Sequence, residues 1–382
     1  MITTAGLWSS HPKLLFEQIG GITVLERQLQ TLKAAGIASV SVAAPKPPPG
    51  TSALRVPEGL EVSWQQGREA GGEMKGVCPP YISISGYHFI RPETLRYLVT
   101  APYARHTAFT DGLDLSVAQI VPFRTEDMVS PRKVPLPPGS TVFLDAATLR
   151  QGRVMDWLLS MGFKSQDGFM ARHFDRHLSL AITRAVIESR LTPNMATVVS
   201  CLVGLAGSAL FLLSPACDVA AAALIWLHSV LDGCDGEMAR VRFQETQLGA
   251  DIDFWADNLV HVALFGCLAA GMARAGHSLA PALGGAAIAG ILGSASLAFA
   301  NRLKARRTAR APADAAAEPA LLARVETFLA QRDFIYLLFV MTILDLTYPF
   351  LWAGAVGAPV FLAMMLVAGK ASASAPAQAK AS

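Results

Sequence analysis

Cysteine is scarce in this sequence, and its spacing offers no paired motif. The five cysteines are Cys78, Cys201, Cys217, Cys234 and Cys267. They show no C-x-x-C spacing, and four of them lie in or beside apolar segments. Free cysteine in such a setting behaves as a small apolar side chain. We therefore expect core residues of a reduced protein rather than a disulfide framework.

An excess of charge of one sign is also missing. The formal net charge is only +3, and no basic stripe interleaved with aromatic residues occurs. A nucleic-acid partner is therefore not expected. Residues 1–8 lack the basic region and the long apolar stretch of a signal peptide. We expect the part of the chain before the first apolar segment to stay in the cytoplasm.

Apolar residues are abundant instead. They make up 52% of the 382 residues, and the mean hydropathy is +0.38, which is high for a soluble protein. Six apolar segments, each near the ~20 residues that a membrane span needs, are residues 195–213, 219–238, 254–273, 279–300, 334–352 and 354–369. The last two are so close that a tight turn near Gly354 is expected.

Positive charges follow the fourth apolar segment directly, at Arg302, Lys304, Arg306, Arg307 and Arg310. By the positive-inside rule this end of the segment is cytoplasmic. Counting back two spans puts residues 232–257 at the same face. We therefore expect a multi-pass protein of the inner, cytoplasmic membrane, with its N-terminal domain and its site facing the cytoplasm.

Two pairs of aspartates adjoin the apolar segments. Asp232 and Asp235 are three residues apart, and Asp253 and Asp257 are four apart, so each pair shares one face of a helix. An acidic side chain at bilayer depth costs roughly 2.5–3.5 kcal/mol, so four of them need compensation of order 10 kcal/mol. Bound divalent ions would supply this compensating free energy, because Mg²⁺ and Mn²⁺ prefer carboxylate oxygen ligands. Two such ions can also bind the attacking and leaving oxygens of a phosphoryl displacement.

The stretch 232–257 reads D-x2-D-G-x2-A-R-x8-G-x3-D-x3-D, and at every fixed position it resembles the signature of the CDP-alcohol phosphotransferase family. The resemblance implies that Asp232, Asp235 and Asp253 ligate two Mg²⁺ or Mn²⁺ ions. Asp257 would lie at the metal site and act as the general base. The pocket for the cytidine diphosphate would be lined by the other fixed residues, Gly236, Ala239, Arg240 and Gly249. Asp251 and Glu237 fall outside the pattern, and we expect ordinary polar residues of a loop or a helix end there.

The family reaction is the attack of an acceptor hydroxyl on the β-phosphorus of a CDP-alcohol, which releases CMP and forms a phosphodiester. The resemblance therefore implies a CDP-alcohol donor, an alcohol acceptor, a lipid bilayer and, since relatives are dimers, a second copy of the chain. Arg302 and Lys304 follow the fourth span, where they could hold a phosphate of the acceptor, such as an inositol phosphate. The alternative is that they determine topology only.

Residues 1–165 are predicted to form an α/β domain. An amphipathic helix over 24–32 ends at Gly36, and a buried strand follows over 37–44. Further strands are predicted at 81–84, 88–90 and 141–144, and further helices at 92–99 and 154–161.

This domain is similar to sugar nucleotidyltransferases through Pro12-Lys13, Gly20-Gly21 and residues 26–29. Active members carry G-x-G-T-R before the Pro-Lys step, where backbone N–H groups cradle a triphosphate. Residues 5–11 lack that pattern and its arginine, and residues 85–88 read Ser-Gly-Tyr-His where a metal-binding aspartate is expected. We therefore expect a degenerate, inactive domain with a scaffolding role.

Residues 166–194 are predicted to be a junction that contains a helix at the membrane interface. One face of this helix is apolar, with Phe174, Leu178, Ala181, Ile182 and Ala185. His173 and His177 have a spacing that can bind metal, but no third ligand is near, so polar interfacial residues are expected. The junction resembles that of fused enzymes in which a cytidylyltransferase domain precedes a CDP-inositol:inositol-phosphate transferase.

The fold class expected is thus an α/β cytosolic, nucleotidyltransferase-like domain followed by an all-α six-helix transmembrane domain over 195–370 and a disordered tail over 371–382. Two other functions stay open. The first domain could be active, which would make the protein a bifunctional cytidylyltransferase and phosphotransferase. Alternatively, the aspartates could line the ion path of a transporter that is not an enzyme.

Overall fold

The structure is a computed structural model that describes residues 2–9, 12–43, 54–65, 77–102, 106–121, 131–150, 152–161, 174–308 and 334–374. The chain divides into two compact units. The first comprises Met1–Gly162 with the short segments Ile187–Ser189 and Arg240–Phe243, and the second comprises Phe163–Val186, Arg190–Ala239 and Gln244–Ser382.

The first unit is built from short strands and helices. Its described strands are β1 (Thr4–Trp8), β2 (Gln18–Ile19), β3 (Ile22–Thr23), β4 (Ser39–Ala43), β5 (Glu61–Gln65), β6 (Tyr81–Ser85), β7 (His88–Ile90), β8 (Thr107–Thr110), β9 (Ser116–Val121), β10 (Arg132–Pro135) and β11 (Thr141–Phe143). Its described helices are α1 (Pro12–Leu15), α2 (Val24–Ala34), α3 (Pro92–Thr100), α4 (Ala146–Arg150) and α5 (Arg153–Ser160).

A seven-stranded mixed sheet forms the centre of this unit, in the order β10-β8-β9-β6-β1-β4-β5. The strand β1 pairs in parallel with both β4 and β6, and β4 pairs in parallel with β5. The strand β9 runs antiparallel to β6 and β8. The predicted α/β class of the N-terminal region is therefore confirmed.

Local sequence explains the helix α2 and the strand that follows it. The Thr23 hydroxyl accepts a hydrogen bond from the Glu26 N–H at 3.2 Å, and the Glu26 carboxylate accepts one from the Thr23 N–H at 2.9 Å. This reciprocal cap starts the helix. Gly36 has a φ of 93°, which glycine adopts without strain, and β4 begins three residues later. The helix predicted over 24–32 and the strand predicted over 37–44 are therefore confirmed.

The other predicted elements of this unit also match the structure, as β6, β7, β11, α3 and α5 show. The central strand β1 was not predicted. Three of its five residues are fully buried, and a strand covered on both faces does not show the alternation of apolar and polar residues that marks a half-exposed strand.

The regular secondary structure described in the second unit is all helical. Its helices are α6 (Arg176–Val186), α7 (Pro193–Leu210), α8 (Asp218–Arg242), α9 (Gln247–Arg274), α10 (Ala280–Thr308), α11 (Phe334–Ile343) and α12 (Thr347–Ser374). Thr192 caps α7, because its hydroxyl accepts a hydrogen bond from the Met195 N–H at 3.3 Å, and Pro193 occupies the first turn, as is common at a helix start.

Five of the described helices, α7, α8, α9, α10 and α12, are long and apolar enough to cross a bilayer. Large apolar side chains on them face outward, and Leu202, Leu259 and Val356 are each more than half exposed. A soluble surface would not leave so many apolar side chains in water. The chain is therefore a multi-pass membrane protein.

The predicted spans 334–352 and 354–369 need correction. The helix α11 ends at Ile343 and α12 begins at Thr347, so the break lies at 344–346 and not near Gly354. The ten described residues of α11 rise about 15 Å, half of a hydrocarbon core of about 30 Å. Of the six predicted spans, five correspond to helices of sufficient length in the described part of the chain.

Gly354 serves close packing rather than a turn. It lies inside α12, and a Cβ added there would come within 2.1 Å of Cε1 of Phe265 on α9. The Phe265 ring also stacks on Phe350, with centroids 5.8 Å apart. A small residue is therefore required where α12 crosses this ring.

We expect Gly354→Ala to lower the apparent Tm of the purified protein by several degrees, because overpacking a tight site costs about 1–3 kcal/mol. Gly357→Ala is the matched control in the same helix. A Cβ at Gly357 meets no atom within 4 Å, so that variant should be neutral or slightly stabilised. Equal effects of the two substitutions in a thermal unfolding series would contradict this account of the packing.

Candidate metal centre

The turn between α8 and α9 brings the two halves of the aspartate motif together. Phe243 adopts a left-handed backbone conformation with a φ of 51°, which ends α8. Thr246 then caps α9, since its hydroxyl accepts a hydrogen bond from the Gly249 N–H at 2.9 Å. Gly249 therefore lies in the first turn of α9, where a Cβ would come within 3.1 Å of Asn194 Oδ1.

Three of the four predicted carboxylates converge. One oxygen from each of Asp232, Asp235 and Asp253 lies within 4.8 Å of the other two. Asp232 and Asp235 are only 5% exposed. Like charges this close and this poorly solvated repel one another, so the arrangement fits a site for a hard divalent cation, which prefers carboxylate oxygen.

Asp257 lies one turn beyond Asp253 on α9 and outside that cluster. Its Oδ1 is 3.4 Å from Nε2 of the buried His228 on α8. The other ring nitrogen of His228, Nδ1, is 2.9 Å from the carbonyl oxygen of Ser200, so Nδ1 is the donor to that carbonyl. The His228 ring thus lies between Ser200 of α7 and Asp257 of α9. His228 was not predicted as a site residue because it lies before the first residue of the motif.

The helix α7 also supports the cluster. The Thr197 hydroxyl donates a hydrogen bond to Asp235, and both residues are buried. The predicted donor-pocket residues Gly236, Ala239 and Arg240 follow on α8 and are half-buried, while Gly249 begins α9. The structure therefore positions these four residues on the two helices that carry the carboxylates.

The expectation that Glu237 is an ordinary polar residue is wrong. Its side chain is only 1% exposed, and three side chains of α6 donate hydrogen bonds to it. Arg176 Nη1 and Ser179 Oγ donate to Oε1 at 2.9 and 2.6 Å, and Thr183 Oγ1 donates to Oε2 at 2.6 Å. Glu237 therefore binds α6 to the helix that carries Asp232 and Asp235.

A second buried carboxylate, Asp175, lies just before α6. Its Oδ1 accepts hydrogen bonds from Trp226 Nε1 at 3.1 Å and from the Tyr336 hydroxyl. These contacts tie the start of α6 to α8 and α11. A signal for both networks was present in the sequence, because Asp175, Ser179 and Thr183 recur every four residues on one face of α6.

The opposite face of α6 carries the apolar residues that the sequence analysis identified. Phe174 is 57% exposed and Leu178 is 38% exposed, while Ser179 and Thr183 are buried. A helix with its apolar face outward and its polar face inward is what an interfacial position requires. His177 is exposed on this helix, and His173 lies outside the described residues.

Basic residues at the end of α10 face the start of α9. Arg306 makes a bidentate pair with Asp251 at 2.9 and 2.7 Å. The Arg302 guanidinium lies over the ring of Phe254, 4.3 Å from its centroid, and Phe254 is the residue after Asp253. Lys304 is exposed. Asp251 thus has a structural partner, and Arg302 lies beside the helix turn that carries Asp253.

Comparison with known proteins agrees with this geometry. Residues 190–368, almost half of the chain, match the model of the CDP-alcohol phosphatidyltransferase family. The resemblance that the aspartate motif indicates is therefore confirmed for this part of the chain.

Two curated relatives are each named bifunctional IPC transferase and DIPP synthase. The chain is 36% identical to that of Thermococcus kodakarensis over 104 residues, which are 27% of this chain and 23% of the relative. It is 35% identical to that of Aquifex aeolicus over 103 residues, again 27% and 23%. The chain thus matches about a quarter of the length of these relatives.

A solved structure also aligns with the chain. The crystal structure of the Mycobacterium tuberculosis phosphatidylinositol phosphate synthase with CDP-DAG bound has a TM-score of 0.35 and 21% identity. The alignment covers 50% of this chain and 92% of that one.

We expect Glu237→Gln to destabilise the second unit. The amide keeps the shape of the side chain, but its NH₂ group cannot accept one of the three hydrogen bonds, and the charge facing Arg176 is lost. Removing one partner of a buried ion pair costs about 3–5 kcal/mol. Thermal unfolding in detergent should show a clear fall in apparent Tm, whereas the exposed Glu245→Gln should show none. An unchanged Tm for Glu237→Gln would mean that the network does not hold α6.

Proposed function

We propose that the second unit is a CDP-alcohol phosphotransferase, which transfers a phosphoalcohol from a CDP-alcohol to an acceptor hydroxyl and releases CMP. The observation that carries the proposal is the convergence of Asp232, Asp235 and Asp253 within 4.8 Å at the junction of two apolar helices. The match of residues 190–368 to the CDP-alcohol phosphatidyltransferase family supports it.

The three converging carboxylates, with Asp257 beside them, would hold two Mg²⁺ or Mn²⁺ ions. The donor set is all oxygen and carries several negative charges, which suits these ions better than softer metals. When bound, such ions would stabilise the negative charge that develops on the pyrophosphate bridge and on the departing CMP. The Thr197 hydroxyl, which donates to Asp235, would keep that carboxylate oriented.

The remaining motif residues would bind the donor and accept the proton. Gly236, Ala239 and Gly249 leave room for the cytidine diphosphate to lie against the backbone, and Arg240 would neutralise a phosphate. Asp257 would accept the proton of the acceptor hydroxyl as the new bond to phosphorus forms. Nε2 of His228 lies 3.4 Å from this carboxylate.

The acceptor is proposed to carry a phosphate, such as an inositol phosphate, held by Arg302 and Lys304. Arg302 lies over Phe254, next to the ligand Asp253, so its charge is near the site. Arg306 forms an ion pair with Asp251, so we assign it a structural role. Arg302 is instead proposed to bind the phosphate of the acceptor. The same charges would set the topology, with this end of α10 in the cytoplasm.

The chain is further proposed to act as a homodimer in the inner membrane. The apolar side chains exposed on its spans are available to lipid or to a second copy. We propose residues 1–165 as the cytosolic nucleotidyltransferase-like domain, 166–194 as the junction with its interfacial helix, 195–370 as the transferase domain and 371–382 as a tail.

Bifunctional activity is the second candidate, since the matched relatives are named as bifunctional proteins. It requires that the first unit form a CDP-alcohol from CTP and an alcohol phosphate, with release of pyrophosphate. Pyrophosphate production by the full chain would establish it. A transporter, in contrast, would keep moving its substrate across vesicles after Asp257→Asn.

We expect Asp257→Asn to lower CMP release by about a hundredfold or more, because the amide can neither accept the proton nor contribute charge at the ions. CMP would be measured across a panel of CDP-alcohol donors and alcohol acceptors with the protein in detergent. Asp251→Asn is the control, since this carboxylate pairs with Arg306 and not with the cluster. Comparable activity of Asp257→Asn and the native protein would contradict the proposed role of Asp257 as the proton acceptor.

Removal of divalent ions should abolish CMP release, and Mg²⁺ or Mn²⁺ should restore it. The physical reason is that the three converging carboxylates would otherwise repel the pyrophosphate of the donor. The measurement is CMP release in excess EDTA, followed by titration of each ion. Full activity in excess EDTA would falsify the two-ion mechanism.

A further inference from the structure

The first unit contains a cavity of about 640 Å³. It opens where β1 and β6 end side by side, because Trp8 and Ser85 are the last residues of these parallel strands. The carboxyl ends of parallel strands are where open α/β sheets bind ligands, and the volume lies within the range of small-molecule sites. All of its described lining residues belong to the first unit, and none of them is a residue of the metal centre.

Aromatic rings form one wall of the cavity. The rings of Trp8 and Tyr87 meet edge to face with centroids 6.2 Å apart. Tyr87 stacks on Phe143 at 6.3 Å, and Phe143 lies 5.2 Å from the His88 ring. These contacts fix the rings against one another. Aromatic faces carry partial negative charge, so a ring face that borders the cavity attracts cations.

The charged residues that line the cavity are acidic. Glu17 and Asp145 both line it, and no lysine or arginine does so among the described residues. The Thr148 N–H donates to Asp145 Oδ1 at 2.6 Å and lowers the pKa of that carboxyl, which is therefore ionised at neutral pH. Burial lowers the pKa of His88, so His88 adds no positive charge at neutral pH.

We propose that this cavity binds an organic cation with an apolar or aromatic body, such as a quaternary ammonium compound. The apolar body would lie against Trp8, Tyr87 and Phe143, and the charge would face Asp145 and Glu17. The same charges disfavour a triphosphate, whose phosphates would meet two carboxylates and no cation of the described lining. A cation site at the carboxyl ends of β1 and β6 needs no phosphate-binding pattern. The domain can therefore lack that pattern and still have a ligand cavity there.

Isothermal titration calorimetry on the purified full chain in a nonionic detergent tests the proposal. The probes are benzyltrimethylammonium, phenylmethanesulfonate, which has a similar body and the opposite charge, and CTP. We expect one benzyltrimethylammonium per chain, bound at least about tenfold more tightly than phenylmethanesulfonate, as expected if both the aromatic faces and the carboxylates contribute.

Two variants assign the binding to this cavity. Asp145→Asn retains the oxygen that caps Thr148 and removes the charge, so it should weaken cation binding by about threefold or more. Trp8→Leu retains an apolar side chain and removes the ring, and a loss of about fivefold or more is expected. Glu58→Gln, an exposed carboxylate outside the cavity, should leave the affinity unchanged.

The proposal is overturned by any of three results. The first is the absence of saturable binding of benzyltrimethylammonium up to roughly 10 mM. The second is binding that the Asp145 and Trp8 variants leave unchanged. The third is binding of CTP or phenylmethanesulfonate as tight as that of the cation and lost in Trp8→Leu. Because the readout is binding by the first unit, none of these results depends on whether the second unit releases CMP.

Discussion

Electrostatic repulsion among three carboxylates is the constraint on which the second unit depends. Asp232, Asp235 and Asp253 lie within 4.8 Å of one another, where poor solvation makes like charges costly. Two long apolar helices carry them, so the backbone positions of the three acids are fixed by the packing of spans. A cation bound among them would offset the repulsion, which is the basis of the proposed phosphoryl transfer.

The surrounding polar contacts hold the helices that carry these acids. Glu237 binds three donors of α6, and Asp175 ties the start of that helix to Trp226 and Tyr336. The helix α6 therefore turns its polar face toward α8 and its apolar face outward. The helix α6 is thus bound to the helix that carries Asp232 and Asp235, and the pair of Arg306 with Asp251 joins α10 to α9.

Sequence reasoning predicted what local patterns encode. The motif spacing predicted that Asp232 and Asp235 share one helix face and that Asp253 and Asp257 share another, and the pairs lie on α8 and α9. The apolar spacing over 24–32 and Gly36 predicted α2. Glu237 was misjudged because its partners are more than 50 residues away in sequence, on α6. The break at 344–346 was missed because apolar residues flank Asp345 on both sides, and Gly354 suggested a turn where the structure needs a small residue against Phe265. The roles of Glu237 and Gly354 depend on burial and on contacts with residues far away in sequence, which a local sequence pattern does not show.

The most direct test of the central claim is the location of bound metal. Crystals of the protein grown with Mn²⁺ would be measured near the manganese absorption edge, and the anomalous difference map would be calculated. The account predicts its strongest peaks among the carboxylates of Asp232, Asp235 and Asp253, and their loss in crystals of Asp232→Asn. A map without density at this cluster, from protein that binds Mn²⁺ in solution, would contradict the account.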